Sequence, residues 1–419
     1  MLPITGGRQG ILHTKENDST KRARISNVNP GLPHHHTQLH KMASNTPIPS
    51  LQTTALTAQC YCKSVHFTVT IPNSHLPLAV HLCNCTICRR VHGALSCFHA
   101  PLPAGVTPSF IAPSSLSTSV TRYTHSQSAS ARIFCKTCGC HVGDEDIKPE
   151  STTGVPEWRV ATSIFASHGP EHFQIRSHIF TAAGTGLHTF LPSIAGRTIG
   201  AWSPDPDDDR FPIPASEPPA PKPETDDQGN ARLRAECHCG GVSFTLPRPS
   251  AATAAHPFLG RFVSKRDPTK WLATLDLCDD CRLVTGTHVI AWTFVPLAQL
   301  QPAVSADFTG FGTLVAFKSS EHVLRAFCGV CGATVFYTAD TPDRVGDGSP
   351  DQKVVDVAVG MLKAPEGALA EGWLTWRTGR ISYFEDGKIF DRDFAEGLAE
   401  GLAKWSMEKY GEMVNFRLP

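Results

Sequence analysis

The sequence lacks a continuous apolar run of about 18 residues, the length that a membrane-spanning helix requires. It lacks an excess of either charge, because 38 basic residues balance 38 acidic ones. Its beginning lacks the apolar stretch and cleavage site of a secretory signal. We therefore expect no membrane contact and no general attraction to nucleic acid, and small or neutral partners. The expected compartment is the cytoplasm, with the nucleus as the alternative because of the basic run at 21–24.

Cysteine, in contrast, is abundant, with 15 residues. In a reducing compartment, clustered cysteines favour metal binding over disulfides. Their spacing therefore carries most of the functional information in this sequence.

Composition divides the chain into five segments. Residues 1–52 are rich in polar residues, include three consecutive histidines and predict a disordered tail. Residues 203–230 are rich in proline and acidic residues and predict a flexible linker. The linker separates two expected globular domains, 53–202 and 231–390, and residues 391–419 have the apolar spacing of a C-terminal helix.

The two expected domains contain the same cysteine motifs in the same order. Each begins with Cys-x-Cys, continues with a Cys-x-x-Cys-Arg segment and closes with Cys-x-x-Cys-Gly. The distance from Cys88 to Cys135 is 47 positions, as is the distance from Cys281 to Cys328. We interpret this as the duplication of one fold.

The outer motifs predict a closed four-cysteine site in each domain. Residues i and i+2 of a strand share a face, so both thiols of Cys-x-Cys can reach one metal ion. The Cys-x-x-Cys turn offers two more, with Gly139 or Gly332 free to take a positive φ. Four-thiolate zinc sites are structural. The predicted ligands are Cys60, Cys62, Cys135 and Cys138 in the first domain and Cys237, Cys239, Cys328 and Cys331 in the second.

The middle motif of the first domain predicts a different kind of site. Cys83, Cys85 and Cys88 provide three thiols, and three protein ligands with one open position are typical of catalytic zinc. An incoming thiol could occupy that position, lose its proton and become a nucleophile. We therefore predict that these three cysteines are catalytic as well as metal ligands.

The second domain departs from this pattern. Asp276 replaces the first cysteine of the triplet, beside Cys278 and Cys281. Zinc accepts carboxylate oxygen, so this triplet either holds a metal ion or is a degenerate loop. The chain is therefore expected to bind two zinc ions in the first domain and one or two in the second, with any chemistry in the first.

These motifs resemble the family of glutathione-dependent formaldehyde-activating enzymes, which includes centromere protein V. The resemblance implies a mainly β architecture of two tandem zinc-containing β-tent domains, with glutathione as a co-substrate. It also implies a carbon–sulfur lyase that forms or cleaves S-(hydroxymethyl)glutathione from a thiol and a small carbonyl compound. Arg89 and Arg90 could bind the carboxylates of glutathione, or they could be solvated surface residues. The alternative function is a noncatalytic zinc module that binds protein or nucleic acid.

Two cysteines lie outside the predicted sites. Cys97 occurs in an apolar stretch and is interpreted as a small core residue. Cys140 could compete with Cys138 as a ligand, but Cys138 is favoured because a glycine follows it as in the second domain. The C-terminal helix is expected to pack on the second domain and, because of Gly397 and Gly401, to depend on tertiary contacts.

Overall fold

Strands in this chain follow from alternating apolar residues. In the segment His66–Pro72, Phe67, Val69 and Ile71 are fully buried, whereas the threonines between them are not. Successive side chains of a strand point to opposite faces, so this alternation covers one face of a sheet. Of the residues that the structure describes, 36% lie in strands and 22% in helices, which confirms the mainly β prediction.

The computed structural model describes residues 52–125, 130–146, 156–204 and 224–417. These residues belong to one compact unit, Leu51–Pro419. The predicted N-terminal tail up to residue 51 and most of the predicted linker lie outside the described residues. Within the described part of the chain, no helix has both the length and the apolar character that a membrane crossing needs.

The strands and helices are numbered along the chain. The strands are β1 (Thr53–Gln59), β2 (His66–Pro72), β3 (Leu78–Cys83), β4 (Cys97–Pro101), β5 (Ser109–Phe110), β6 (Val120–Tyr123), β7 (Ser130–Cys135), β8 (His141–Asp146), β9 (Trp158–Ala161), β10 (Phe173–Ile179), β11 (Ser193–Ile194), β12 (Arg197–Thr198), β13 (Gly200–Trp202), β14 (Glu224–Thr225), β15 (Ala231–Glu236), β16 (Ser243–Pro247), β17 (Trp271–Asp276), β18 (Ile290–Pro296), β19 (Leu314–Ser320), β20 (Val323–Cys328), β21 (Thr334–Ala339), β22 (Val354–Ala358) and β23 (Leu374–Trp376). The helices are α1 (Thr86–His92), α2 (Leu187–Phe190), α3 (Ala251–Ala255), α4 (Asp279–Thr285), α5 (Pro342–Val345), α6 (Phe384–Phe390) and α7 (Arg392–Tyr410).

Two large sheets share one strand order. The first runs β13-β10-β3-β4-β9-β8-β7-β6, and the second, read from its other edge, runs β23-β17-β18-β22-β21-β20-β19. In each sheet, the strand before the middle cysteine motif has a parallel neighbour on one side. Strand β3 pairs with β10, and β17 pairs with β23. A short helix, α1 or α4, follows that strand in both cases. The middle cysteine motifs therefore occupy matching places in the two sheets.

The two halves contact each other through matching residues. The backbone N–H of Tyr61 donates to the carbonyl of Leu283 at 3.1 Å, and the N–H of His238 donates to the carbonyl of Arg90 at 3.2 Å. Tyr61 and His238 are the middle residues of the two Cys-x-Cys motifs. Arg90 and Leu283 lie at the same position in α1 and α4. Each Cys-x-Cys turn thus touches the helix of the other half.

The ends of α1 and α4 also approach the opposite half closely. A Cβ atom added at Gly93 would lie 2.1 Å from the carbonyl oxygen of Thr334, and one added at Gly286 would lie 2.3 Å from that of His141. Both distances are far below a normal contact, so only glycine fits at these two positions. The two halves are therefore packed together at the end of α1 and at the equivalent end of α4.

The C-terminal helix is present, as predicted, and Asp391 caps α7 by accepting a hydrogen bond from the N–H of Phe394 at 3.0 Å. It packs on the second half, as predicted, where the hydroxyls of Thr378 and Ser406 are hydrogen-bonded, but it also packs on the first half. Trp405 of α7 lies edge-on to Phe190 of the first half, with ring centroids 5.0 Å apart. The two helix glycines allow this contact, because Gly397 faces the carbonyl of Ser193 and Gly401 faces that of Phe190.

The predicted linker extends too far at its C-terminal end. Residues 224–230 form a hairpin in which β14 pairs with β15. Asp226 closes the turn by accepting hydrogen bonds from the backbone N–H groups of Gln228 and Asn230. An Asx-type turn of this kind gives a polar segment a fixed structure.

Candidate metal centres

The first four-cysteine group joins the turn after β1 to the end of β7. The sulfur atoms of Cys60, Cys62, Cys135 and Cys138 lie within 4.8 Å of one another. The distances from Cys62 to Cys60 and from Cys62 to Cys135 are both 3.6 Å. Tetrahedral zinc with Zn–S bonds of about 2.3 Å places its sulfur ligands about 3.8 Å apart. The donor set and its spacing therefore fit a zinc ion.

The Cys-x-Cys pair lies in a turn, and the prediction that it lies in a strand is wrong. The N–H of Lys63 donates to the carbonyl of Cys60 at 3.0 Å, and Lys63 has φ of 64°. The N–H of Val65 donates to the sulfur of Cys60 at 3.3 Å. The tight turn, rather than strand alternation, brings the two sulfurs together and supplies a backbone donor to Cys60.

The second half contains a matching group. Its Cys237–Cys239 sulfur distance is 3.5 Å and its Cys239–Cys328 distance is 3.4 Å. The glycines after the two Cys-x-x-Cys motifs, Gly139 and Gly332, have φ of 79° and 83°, the positive values expected of this turn. The members of this group, all within 4.8 Å, are Cys237, Cys239, Cys328 and Cys331.

All 15 cysteines lie in the described residues and none forms a disulfide. Cys140 is fully buried, and its thiol donates to the carbonyl of His141 at 3.5 Å. Burial raises the pKa of this thiol well above its usual value. Cys140 therefore has the environment of a neutral buried thiol.

The predicted catalytic cysteines meet where β3 ends and α1 begins. Cys83 is the last residue of β3, Cys85 is the N-cap of α1, and Cys88 lies in its first turn. The Cys83 and Cys85 sulfurs are 3.4 Å apart, and the N–H of Cys88 donates to the sulfur of Cys85 at 3.3 Å. Cys83 and Cys88 are each 7% exposed. The three thiols therefore form a group at a helix N-terminus, where hydrogen bonds between the thiols and burial raise the pKa of Cys83 and Cys85.

Arg132, which the sequence reasoning did not select, lies beside this triplet. Its Nη2 donates to the sulfur of Cys88 at 3.9 Å. Hydrogen bonds from Cys83, Cys85 and a further cysteine, and the positive charge of Arg132, lower the pKa of Cys88. The signal was present in the sequence, since arginine occurs three positions before the Cys-x-x-Cys motif in both halves.

The further cysteine is Cys97, which is buried, as predicted, but packs in a small cluster with Cys83 and Cys88 rather than in the main core. It lies directly opposite Cys83 in the antiparallel pair of β3 and β4. Its sulfur is within 4.8 Å of those of Cys83 and Cys88. The group around the triplet thus contains four thiols rather than three.

The second half places Asp276, Cys278 and Cys281 together in the same way. The Asp276 carboxylate accepts from the N–H of Cys278 at 2.8 Å and from the thiol of Cys281 at 3.5 Å. Arg325, which corresponds to Arg132, donates to the sulfur of Cys281 at 3.4 Å. Burial raises the pKa of Asp276, and a hydrogen bond from Cys281 lowers that of Cys278.

The two arginines expected to bind glutathione contact the second half instead. Arg89 is 8% exposed and donates to the carbonyls of Gly360 and Leu362 at 2.9 and 3.0 Å. Arg90 donates to the carboxylate of Glu236 at 2.6 Å. These contacts favour a role for both arginines at the interface between the halves.

The fold and these groups define a class of protein: a mainly β chain whose cysteine clusters could hold zinc. Residues 55–183 match the model of the family described as glutathione-dependent formaldehyde-activating enzyme. This match confirms, over residues 55–183, the resemblance predicted from the motifs. The matched region contains the first four-cysteine group and the triplet, while the second half lies outside it. No curated protein matches the chain.

Proposed function

We propose that the first half is a zinc-dependent carbon–sulfur lyase that handles an adduct of glutathione, or a similar thiol, with formaldehyde or another small carbonyl compound. The observation that carries the proposal is the cysteine triplet at the N-terminus of α1, inside the region that matches the family. Zinc held by Cys83, Cys85 and Cys88 would lower the pKa of a bound substrate thiol.

The reaction that fits this site is an addition and its reversal. The substrate sulfur forms a bond to the carbonyl carbon, the π electrons of the C=O bond move to its oxygen, and that oxygen takes up the proton lost by the thiol. Holding both reactants in one place replaces a bimolecular encounter with an oriented one. The positive charge of Arg132 beside Cys88 supports the thiolate form of Cys88.

The position of Cys97 determines whether the triplet can accept a substrate. If Cys97 were the fourth ligand of the ion on Cys83, Cys85 and Cys88, the site would be closed and purely structural. The proposal therefore requires that Cys97 leaves the fourth position open. Replacement of Cys97 by Ser should accordingly leave the triplet's zinc equivalent and thiol binding in place.

We also propose that the second half is a diverged copy of the first. The identical strand order, the 47-residue spacing and the matched contacts between the halves support duplication. Its triplet carries Asp276, so we assign the chemistry to the first half and a supporting role to the second. Structural zinc on the outer cysteines and a further ion on Cys83, Cys85 and Cys88 give two ions in the first half. The second half then binds one ion, or two if Asp276, Cys278 and Cys281 also hold zinc.

The test compares two matched substitutions in the full chain, Cys85→Ala and Cys278→Ala. We expect Cys85→Ala to lose one zinc equivalent, glutathione binding and the glutathione-dependent consumption of formaldehyde. We expect Cys278→Ala to retain glutathione binding and the glutathione-dependent consumption of formaldehyde. Unchanged turnover in Cys85→Ala with one zinc fewer would refute the enzyme and favour the noncatalytic zinc module.

A further inference from the structure

A buried group of polar side chains lies beside the cysteine triplet, on the other side of Cys97. His92, Cys97 and His99 each offer a ligand atom, and these atoms lie within 4.8 Å of one another. Their exposed fractions are 0%, 3% and 6%. His92 is the last residue of α1, whereas Cys97 and His99 lie on β4. Three possible ligands from two elements thus converge in the interior.

The hydrogen bonds of the two histidines fix which ring nitrogen is available. His92 Nδ1 lies 2.9 Å from the carbonyl oxygen of Cys88, which can only accept, so Nδ1 carries the proton. His99 Nδ1 lies 2.8 Å from the carboxylate of Asp144, which also pairs with Arg159 at 2.8 Å. In a neutral imidazole with Nδ1 protonated, Nε2 presents a lone pair.

Both of these Nε2 atoms are buried and have no hydrogen-bond partner among the described residues. A buried acceptor without a partner is unfavourable unless an ion or another group satisfies it. Metal-bound histidines have the observed arrangement, since the second ring nitrogen usually donates to a carboxylate or a backbone carbonyl. His99 makes this contact with the carboxylate of Asp144, and His92 makes it with the backbone carbonyl of Cys88.

The second half shows that the fold itself does not need these residues. Thr285, Ile290 and Trp292 occupy the places of His92, Cys97 and His99 in a sheet of the same strand order. Ile290 faces Asp276 just as Cys97 faces Cys83. The fold therefore does not require histidine or cysteine at these positions, and their presence in the first half needs a different explanation.

We infer that His92, Cys97 and His99 bind a second metal ion beside the cysteine triplet. Two imidazole nitrogens and one thiolate form a donor set of intermediate softness, which suits zinc. This site is independent of the proposed reaction, because metal binding can be measured without turnover.

X-ray absorption at the zinc edge tests the inference, because the other zinc sites assigned above contain no histidine. The background is the full chain with His34, His35 and His36 replaced by Ala, which removes the histidine run of the N-terminal tail. The variant combines His92→Gln and His99→Gln. The control combines His168→Gln and His288→Gln, because these histidines form another possible metal group with Asp391.

We expect imidazole scattering in the background protein and in the control. The His92→Gln, His99→Gln variant should lose this signal and one zinc equivalent, measured by plasma mass spectrometry. Absence of imidazole scattering from the background protein, or its persistence in that variant, would overturn the inference. If the variant fails to fold and loses all zinc, the control protein decides the question. An imidazole signal in the control supports the site, and the absence of that signal refutes the site. Cys85→Ala should retain the imidazole signal, so a failure of the proposed enzyme is distinguishable from a failure of this site.

Discussion

Helix α7 packs closely on the first half at Gly401, and replacement of this glycine by alanine tests that contact. A Cβ atom at position 401 would lie 2.2 Å from the carbonyl oxygen of Phe190 and 2.7 Å from the ring of Pro192. Neither neighbour is the flexible end of a long side chain. The added methyl group can therefore be accommodated only if the helix or the Phe190–Pro192 backbone moves.

Two opposing effects set the size of the change in stability. Alanine stabilises a helix interior by about 1 kcal/mol relative to glycine. Overpacking of a close-packed interior costs about 1–3 kcal/mol, and overlap with backbone belongs at the upper end of this range. We therefore expect Gly401→Ala to lower the free energy of unfolding by about 2 kcal/mol. Gly397→Ala should lose less, because its Cβ would lie 2.7 Å from the carbonyl oxygen of Ser193.

The assay is urea unfolding monitored by circular dichroism, with the midpoint and the slope fitted separately. Glu400→Ala, an exposed substitution in the same helix, is the control and should change stability by less than about 0.5 kcal/mol. A Gly401→Ala protein that is about 1 kcal/mol more stable than the parent would show helix propensity without steric overlap. That result would refute the packing of α7 on the first half.

Three further predictions concern metal, pH and the interface. Cys60→Ser should lose one zinc equivalent and lower the urea midpoint, whereas Cys140→Ser should keep every equivalent; equal zinc contents would contradict the assigned ligands. Burial lowers the pKa of His178 to about 4, so the unfolded chain takes up a proton below its own pKa of about 6.5 and stability falls by about 3 kcal/mol between pH 7 and pH 4. His178→Gln should show a correspondingly smaller loss over this range in urea titrations, and an identical pH profile would contradict the assignment. Arg89→Ala should lower stability by about 2–4 kcal/mol because two buried carbonyls lose a donor, while a weaker affinity for glutathione at unchanged stability would favour the role first expected from the sequence.

The sequence was sufficient to predict what depends on local motifs. Each four-cysteine group comes from two short motifs, and the equal 47-residue spacing indicated that both halves use them alike. The C-terminal helix was predictable for the same reason, since its apolar spacing and its capping residue Asp391 are local features. The family resemblance over 55–183 rests on these motifs as well.

Features that depend on distant pairing were not predictable in this way. Cys97 lies in an apolar stretch, and only the register of β3 with β4 places it opposite Cys83. Arg89 follows the triplet in sequence, but its guanidinium group is directed to carbonyls more than 270 residues later. The surface that receives α7 is likewise formed by residues about 200 positions earlier. In each case the contact could not be predicted because it depends on a partner that is distant in the sequence.

The contacts of α1 with the second half have a consequence for how the duplication persists. This helix contains Cys88 and is capped by Cys85, and Arg89, Arg90 and Gly93 hold it against the other half. If the second half is a diverged copy, as proposed, it can therefore still be under selection, because it helps to position the cysteine triplet of the first half. Substitutions in it would then affect the proposed chemistry indirectly, and its deletion would remove these contacts from α1.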